Sequence, residues 1–224
     1  MQWIHATRKQ AAYDLGERLN NELEAGRSVL WLLSGGSNIA AAVEIMQALP
    51  DSLTAKLTVT LVDERYGSPG HADSNLAQLV QAGFEPKHAK LLPVLREGWD
   101  FEETRRNYEK TLFDALADTD CAIALFGIGD DGHIAGILPR SVAAEVTKPA
   151  IVAYHRDPYD RLTPSFAVLQ QMTASYTLAF GDNKKPALTR LYNEDLTLAE
   201  QPAQILKQLS EAYVYNDQIQ GGTA

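Results

Sequence analysis

The chain has almost no cysteine, no long apolar run and no excess of basic residues, and each absence excludes a class of protein. Cys121 is the single cysteine in 224 residues, so an internal disulfide is excluded, which agrees with a reducing compartment. No stretch approaches the ~18 apolar residues of a membrane span, and Met1 to Gln10 lacks the apolar core of a signal peptide. We therefore expect a cytoplasmic protein with no membrane partner.

The charge balance argues against nucleic acid as a partner. Lys and Arg number 20 against 29 Asp and Glu, a formal net charge of −9, and no basic run compensates it. An anionic substrate would therefore need local positive charge, from isolated Arg and Lys beside glycine-rich turns or helix N-termini. With 45% hydrophobic residues and no repeat or linker, residues 1–224 are expected to form a single domain.

The densest group of glycines lies between residues 127 and 139. It follows the apolar run Cys121 to Phe126, whose length is typical of a strand buried on both faces. Glycine permits positive φ and close approach of a ligand to the main chain. The four glycines surround two carboxylates and one imidazole, in the order Gly127, Gly129, Asp130, Asp131, Gly132, His133 and Gly136. This composition indicates a site.

A second glycine turn follows an earlier apolar run. Ser28 to Leu33 predicts a strand, Ser34-Gly35-Gly36-Ser37 a turn, and Ile39 to Leu49 a helix. Main-chain N–H groups of such a turn, together with the helix N-terminus, attract anions, and Ser34 or Ser37 could add a hydroxyl. A tight turn with a serine N-cap explains the same residues equally well.

A third strand ends in charged residues. Leu57 to Val62 predicts a strand followed by Asp63-Glu64-Arg65, and Asp73 or Ser74 would cap a helix that runs to about Gln81. Open α/β sheets bind ligands at the carboxyl ends of parallel strands, so these three charged residues are site candidates by position. Alternatively, Arg65 pairs with a neighbouring carboxylate and only fixes the loop.

The remaining patterns complete an α/β prediction, a three-layer αβα arrangement with a mostly parallel, Rossmann-like sheet. Helices are predicted over Ala6 to Ala25, Asp100 to Leu116 and from about Pro186, with an amphipathic tail from Pro202 to Leu209; strands are predicted over Lys90 to Val94, Ala150 to Tyr154 and Thr177 to Phe180, and a polar loop over His155 to Asp160.

Four motifs resemble one family. Residues 127–133 match Gly-x-Gly-x-Asp-Gly-His, residues 63–75 match Asp-Glu-Arg followed by His-x-Asp-Ser-Asn, Arg161-Leu162-Thr163 is similar to Arg-Ile-Thr, and Gly181 to Lys184 matches Gly-x-x-Lys. These are motifs of the glucosamine-6-phosphate isomerase and 6-phosphogluconolactonase superfamily, and the match extends from about Leu33 to Lys207. Arg65 and the following Asp-Ser-Asn resemble the lactonase branch.

The resemblance implies hydrolysis of 6-phospho-D-glucono-1,5-lactone, with His133 as the general base that activates water. Asp131 would hold the second imidazole nitrogen or shape the turn, main-chain N–H groups of the turn could face the carbonyl oxygen, and Asp130 would have a surface or turn role. The implied substrate- and phosphate-binding residues are Gly35, Gly36, Ser37, Asp63, Arg65, Gly132, Arg161 and Lys184, with Lys185 as a competitor of Lys184. No cofactor is expected, and His71 and Asp73 lack the further ligands of a metal site.

Two rival functions remain open. Gly132-His133-Ile134-Ala135 follows the isomerase spelling, but that branch supplies a glutamate where this chain has Leu138. A non-catalytic sugar-phosphate sensor would normally carry a DNA-binding segment, for which no basic stretch is present. Asn38 stands where the family commonly has threonine, and the oligomeric state, monomer or homodimer, stays open.

Overall fold

The computed structural model describes residues 1–220 and contains ten strands and seven α-helices in that range. The strands are β1 (Gln2–His5), β2 (Val29–Leu33), β3 (Leu57–Leu61), β4 (Glu64–Arg65), β5 (Lys90–Leu91), β6 (Cys121–Phe126), β7 (Ile151–Arg156), β8 (Tyr159–Pro164), β9 (Ala174–Ala179) and β10 (Ala212–Asn216). The helices are α1 (Arg8–Glu24), α2 (Ile39–Ala48), α3 (Asp51–Thr54), α4 (Asn75–Gln81), α5 (Phe101–Asp118), α6 (Phe166–Leu169) and α7 (Lys185–Asn193).

Seven of the strands form one parallel sheet in the order β1-β10-β9-β6-β2-β3-β5. The chain leaves β2 towards β3 but leaves β6 towards β9, so the direction of winding reverses between the neighbours β2 and β6. Helix α2 packs against both α1 and α4. With the strand order given, the right-handed rule for parallel crossovers assigns α5 and α7 to the opposite face of the sheet. The predicted αβα arrangement is confirmed.

The centre of the sheet is buried on both faces, as its apolar runs predict. All residues of β2, β6 and β9 are buried, and Cys121 is a core residue of β6. Such strands lack the alternating polarity of a half-exposed sheet because helices cover both sides. Within residues 1–220, no helix is long and apolar enough to cross a membrane.

Polar side chains cap the starts of α1, α4 and α5, and the cap of α4 is one of the two residues predicted for it. The hydroxyl of Thr7 accepts from the main-chain N–H of Gln10, and the hydroxyl of Ser74 accepts from that of Ala77. Ser74, and not Asp73, is therefore the cap of α4. Asp100 and Glu103 form a reciprocal capping box at the start of α5.

A second sheet was not expected. β4, β8 and β7 form a three-stranded antiparallel sheet, so the strand predicted over Ala150 to Tyr154 lies outside the main sheet. The predicted loop over His155 to Asp160 is wrong, because these residues form the tip of the β7–β8 hairpin. Their polarity reflects solvent exposure at that tip, while cross-strand pairing satisfies the main chain.

The edges of the main sheet were also predicted incompletely. β1 and β10 pair with each other in parallel although neither had a clear pattern, and β5 comprises only Lys90–Leu91 of the predicted Lys90 to Val94. The predicted amphipathic tail forms a 3-10 helix, Pro202–Gln208.

Candidate active site

A cleft of about 460 Å³ opens at the carboxyl end of the sheet, where the winding reverses between β2 and β6. This is where open α/β sheets form their binding crevices. Its lining comprises Ser34, Gly35, Gly36, Ser37, Asn38, Asp63, Arg65, Asn75, Gly127, Ile128, Gly129, Asp130, Asp131, His133, Ala135, Leu138, Arg161 and Lys184.

Of the catalytic and binding residues that the resemblance implies, all except Gly132 line this cleft, with Lys184 and not its competitor Lys185 among them. Gly132 has a φ of +89°, and a Cβ there would meet the side chain of Gln201. Its requirement for glycine therefore comes from the turn and from the packing of Gln201. Lys184 faces the cleft, whereas Lys185 begins α7 and is exposed.

The turn that carries His133 is closed on itself by main-chain hydrogen bonds. Gly129 N–H donates to the carbonyl of His133 and Gly132 N–H to that of Gly129, both at 2.9 Å. Buried Ile128 and Ile134 form a β-bridge at its base. These two N–H groups are occupied within the turn, so they are not available to the carbonyl oxygen of a substrate.

His133 is held by Asp131, two residues before it. Asp131 Oδ1 lies 2.7 Å from His133 Nδ1 and also accepts the His133 main-chain N–H at 3.0 Å. Burial alone would raise the pKa of Asp131, but the hydrogen bond and charge of His133 lower it to about 2. An ionised Asp131 accepts a hydrogen bond from Nδ1–H, which leaves Nε2 as the unprotonated nitrogen of the neutral ring.

Arg190 supports this turn from α7. Its Nη2 donates to the main-chain carbonyl of Asp131 at 3.0 Å. The contact joins residues 59 positions apart, and no motif in the sequence marks it.

Asn38 joins the two glycine turns. Its buried side chain donates from Nδ2 to the carbonyl of Phe126 at 2.9 Å and contacts Ser34 Oγ at 3.3 Å. Arg8 reaches the same place from α1, donating to the carbonyl of Ser37 at 2.6 Å and to Asn38 Oδ1 at 3.3 Å. The first turn is therefore fixed to the end of β6, and the departure from the family's usual threonine has a structural role.

The residues after β3 divide between the cleft and the interior. Glu64, a site candidate by position, is wholly buried and lies outside the cleft. It accepts main-chain N–H groups of Arg65, Asn75 and Leu76 and the hydroxyl of Ser74, so it anchors the start of α4. Burial raises its pKa, and these hydrogen bonds offset only part of the shift.

Asp63 is a nearly buried carboxylate among cations. Burial raises its pKa, and electrostatic interactions with His133, Arg65 and Arg161 counter the rise only in part. Asn75, an unpredicted lining residue, donates to the main-chain carbonyl of Asp63 at 3.0 Å. The Asp-Ser-Asn motif was the available sequence signal for Asn75.

The cations of the cleft come from opposite sides of it. Arg65 in β4 and Arg161 in β8 are register partners in the second sheet. Lys184 follows β9, and its Nζ lies 2.6 Å from Asp130 Oδ1. Asp130 therefore has a role inside the cleft, where the ion pair with Lys184 lowers its pKa. Within residues 1–220, no cluster of three or more His, Cys, Asp or Glu is arranged to hold a metal ion.

The sequence profile of one family, described as "Glucosamine-6-phosphate isomerases/6-phosphogluconolactonase", matches residues 4–215. The chain belongs to this family. Its members similar to this chain include 6-phosphogluconolactonases of Synechocystis sp., 30% identical over 201 residues (84% of this chain and 82% of that protein), and of Pseudomonas aeruginosa, 27% identical over 187 residues (79% and 77%).

Solved structures of the family share the fold. The 6-phosphogluconolactonase of Leishmania guyanensis superposes with a TM-score of 0.78 at 21% identity, covering 100% of this chain and 99% of that one. A monomeric glucosamine-6-phosphate deaminase superposes with a TM-score of 0.77 at 20% identity, covering 96% and 97%. Because the lactonase and the deaminase superpose on this chain equally well, the fold alone does not distinguish the two activities. The distinction has to come from the side chains of the cleft.

Proposed function

We propose that the chain is a 6-phosphogluconolactonase that hydrolyses 6-phospho-D-glucono-1,5-lactone to 6-phospho-D-gluconate. This is the lactone-hydrolysis step of the oxidative pentose phosphate pathway, and the proposed enzyme acts in the cytoplasm without a cofactor. The observation that carries the proposal is the Asp131–His133 pair, rigidly held in a cleft that is also lined by three cations. The similarity to lactonases over most of the chain supports it.

In the proposed reaction, His133 is the general base. Asp131 keeps the proton on Nδ1, so Nε2 takes a proton from water as the water oxygen attacks the lactone carbonyl. The ring carbon–oxygen bond then breaks, and the proton on Nε2 passes to the departing ring oxygen. One positioned base of this kind contributes about 10²–10⁴-fold to the rate.

Substrate binding falls to the remaining lining residues. Arg161, Arg65 and Lys184 supply positive charge in a chain that is negative overall, and Gly35, Gly36 and Ser37 supply the turn before α2. Planar guanidinium groups bond two phosphate oxygens at once, whereas lysine acts as a movable point charge. Asp63 is suited to accept hydrogen bonds from sugar hydroxyls.

Leu138 favours the lactonase over the deaminase. It lines the cleft at the position where the resemblance places the isomerase glutamate, so the ring-opening acid of that branch is missing there. Carboxylates lining the cleft are Asp63, Asp130 and Asp131, and the last two already pair with Lys184 and His133.

The test is the hydrolysis rate of freshly generated 6-phosphogluconolactone above its spontaneous rate. We expect acceleration by the wild type, loss of about 10²-fold or more in kcat for His133→Ala, and retained binding of 6-phosphogluconate. The matched control is His88→Ala, an exposed histidine outside the cleft, which should leave the rate unchanged.

Two outcomes would contradict the proposal in different ways. No acceleration by the wild type, with turnover of glucosamine 6-phosphate instead, would assign the chain to the deaminase branch. Full activity of His133→Ala would leave the lactonase function standing but would show that His133 is not its general base.

A further inference from the structure

The two arginines of the cleft directly face each other across a strand pair. Arg65 of β4 is the register partner of Arg161 of β8. Like charges in directly opposed cross-strand positions repel each other and destabilise the pairing. Something in the surroundings must therefore hold both guanidinium groups in place when no anion is bound.

Tyr159 is placed to do so. It precedes Arg161 by two residues on β8, so both side chains project from the same face of the sheet. Its ring centroid lies 4.7 Å from Cζ of Arg65 and 5.3 Å from Cζ of Arg161. Both distances are within the ~6 Å over which a cation is attracted to an aromatic face.

The ring is itself tied to the loop before α4. The Tyr159 hydroxyl donates to Asp73 Oδ1 at 3.3 Å, and the Asp73 carbonyl accepts Nη1 of Arg65 at 3.0 Å. Tyrosine and both arginines therefore form one assembly with the loop before α4.

Both guanidinium groups keep unused hydrogen-bonding capacity. Among the described residues, Nε of Arg65 and Nε of Arg161 are buried and have no hydrogen-bond acceptor. A buried donor without an acceptor is costly, so an acceptor that reaches it would be favoured. The pair is thus prepared for an anion that supplies several oxygen acceptors.

We propose that Tyr159 is a positioning residue that holds Arg65 and Arg161 together as one two-guanidinium receptor for the anionic substrate. Its aromatic face, and not its hydroxyl, is the part that acts, because the ring contacts both cations while the hydroxyl reaches only Asp73. The inference rests on the proposed function for the identity of the substrate, but its test is a binding measurement.

The experiment compares Tyr159→Leu, which removes the ring, with Tyr159→Phe, which keeps it. Affinity for 6-phosphogluconate is measured by calorimetry, and KM and kcat for the lactone are measured in parallel. We expect Tyr159→Leu to weaken binding roughly tenfold and to raise KM more than it lowers kcat, and Tyr159→Phe to restore binding to within about threefold of wild type.

Two further variants serve as controls. Tyr13→Leu removes another partly exposed tyrosine, on α1 outside the cleft, and should not change affinity. Tyr159→Met repeats the loss of the ring with a different apolar side chain, should Tyr159→Leu fold poorly. In an Arg65→Met/Arg161→Met background, Tyr159→Leu should have little additional effect, because the residue acts through the arginines.

The inference is overturned if a folded Tyr159→Leu or Tyr159→Met variant binds 6-phosphogluconate within twofold of wild type, or if Tyr159→Phe binds as weakly as Tyr159→Leu. If the wild type binds 6-phosphogluconate without hydrolysing the lactone, and Tyr159→Leu loses that binding, the inference is sustained while the proposed function fails. A wild type with no affinity for 6-phosphogluconate would overturn both.

Discussion

Asp131 contacts His133 twice through a single oxygen: Oδ1 lies 2.7 Å from ring Nδ1 and accepts the main-chain N–H at 3.0 Å. The second bond fixes the residue, and the first fixes the tautomer of its ring. In the proposed mechanism this leaves Nε2 free to accept a proton, so the carboxylate has a catalytic consequence without touching the substrate.

Asp131→Asn should therefore lower kcat about 10²-fold with little change in KM. The asparagine amide can donate to Nδ1, which would place the imidazole proton on Nε2 and block the base. Steady-state kinetics of lactone hydrolysis checks this. The matched control is Asp157→Asn, since Asp157 lies 3.2 Å from His155 in another Asp–His contact, on the exposed hairpin, and should be silent. Normal kcat in Asp131→Asn would exclude tautomer control.

Asp63→Asn should stabilise the fold at neutral pH and weaken substrate binding. Because burial raises the pKa of Asp63, the folded state binds its proton more tightly than the unfolded state. The stability contributed by protonated Asp63 is therefore lost as the pH rises from 3.8, the ordinary pKa of an aspartate, through the raised pKa of the folded state. We expect a gain of about 1 kcal/mol in the free energy of unfolding at pH 7.5.

Urea unfolding of both proteins at several pH values checks that sign. The gain should shrink towards zero as the pH approaches 3.8, where Asp63 of the wild type becomes neutral. A variant less stable than wild type at pH 7.5 would mean that the surrounding cations outweigh burial.

Asp130→Asn should tighten binding of the phosphorylated product. Lys184 Nζ is engaged by Asp130 at 2.6 Å, so an incoming phosphate competes with that carboxylate. Asp130 is 60% exposed, and solvent screens the pair, so the gain should be only about two- to fivefold in Kd. Calorimetry with 6-phosphogluconate measures it, and the gain should diminish at high salt. Weaker binding would show that Asp130 orients Lys184 productively.

Gly129→Ala should impair catalysis without changing any reacting group. A Cβ at Gly129 would collide with Nδ1 and Cε1 of the His133 ring and approach Asp131 Oδ1 to 2.7 Å, so the ring must move. We expect kcat to fall at least tenfold. The control is Gly16→Ala, within α1, where a Cβ would meet Ile45 of α2 at an ordinary 3.9 Å. It should add about 0.5–1 kcal/mol of stability and leave activity unchanged.

The parts of the site that the sequence predicts are those built from short segments. A strand, a glycine turn and a helix lie in succession within residues 29–48, and the Asp131–His133 contact spans only two positions. Signals of this kind need no knowledge of which strands become neighbours. Similarly, the apolar runs of β2 and β6 predict burial on both faces directly.

The parts that it does not predict depend on contacts between distant segments. Arg190 reaches the turn that carries His133 across 59 residues, and Asn38 reaches β6 across 88. Tyr159 meets Arg65 because residues 155–160, predicted as a loop, form the tip of a hairpin whose strand β8 pairs with β4. Polar residues at an exposed hairpin tip have the composition of a loop, so pairing was invisible in the pattern.

The hydrogen bond from Asn38 to the carbonyl of Phe126 fixes the distance between the two glycine turns. Each turn continues one of two neighbouring strands, whose spacing of about 4.8 Å is set by the sheet and varies little. In the proposed reaction, this fixed distance therefore selects substrates by the separation between their phosphate and their reactive carbonyl. A sugar lactone whose phosphate lies closer to that carbonyl could place its phosphate at the first glycine turn or its carbonyl at His133, but not both at once.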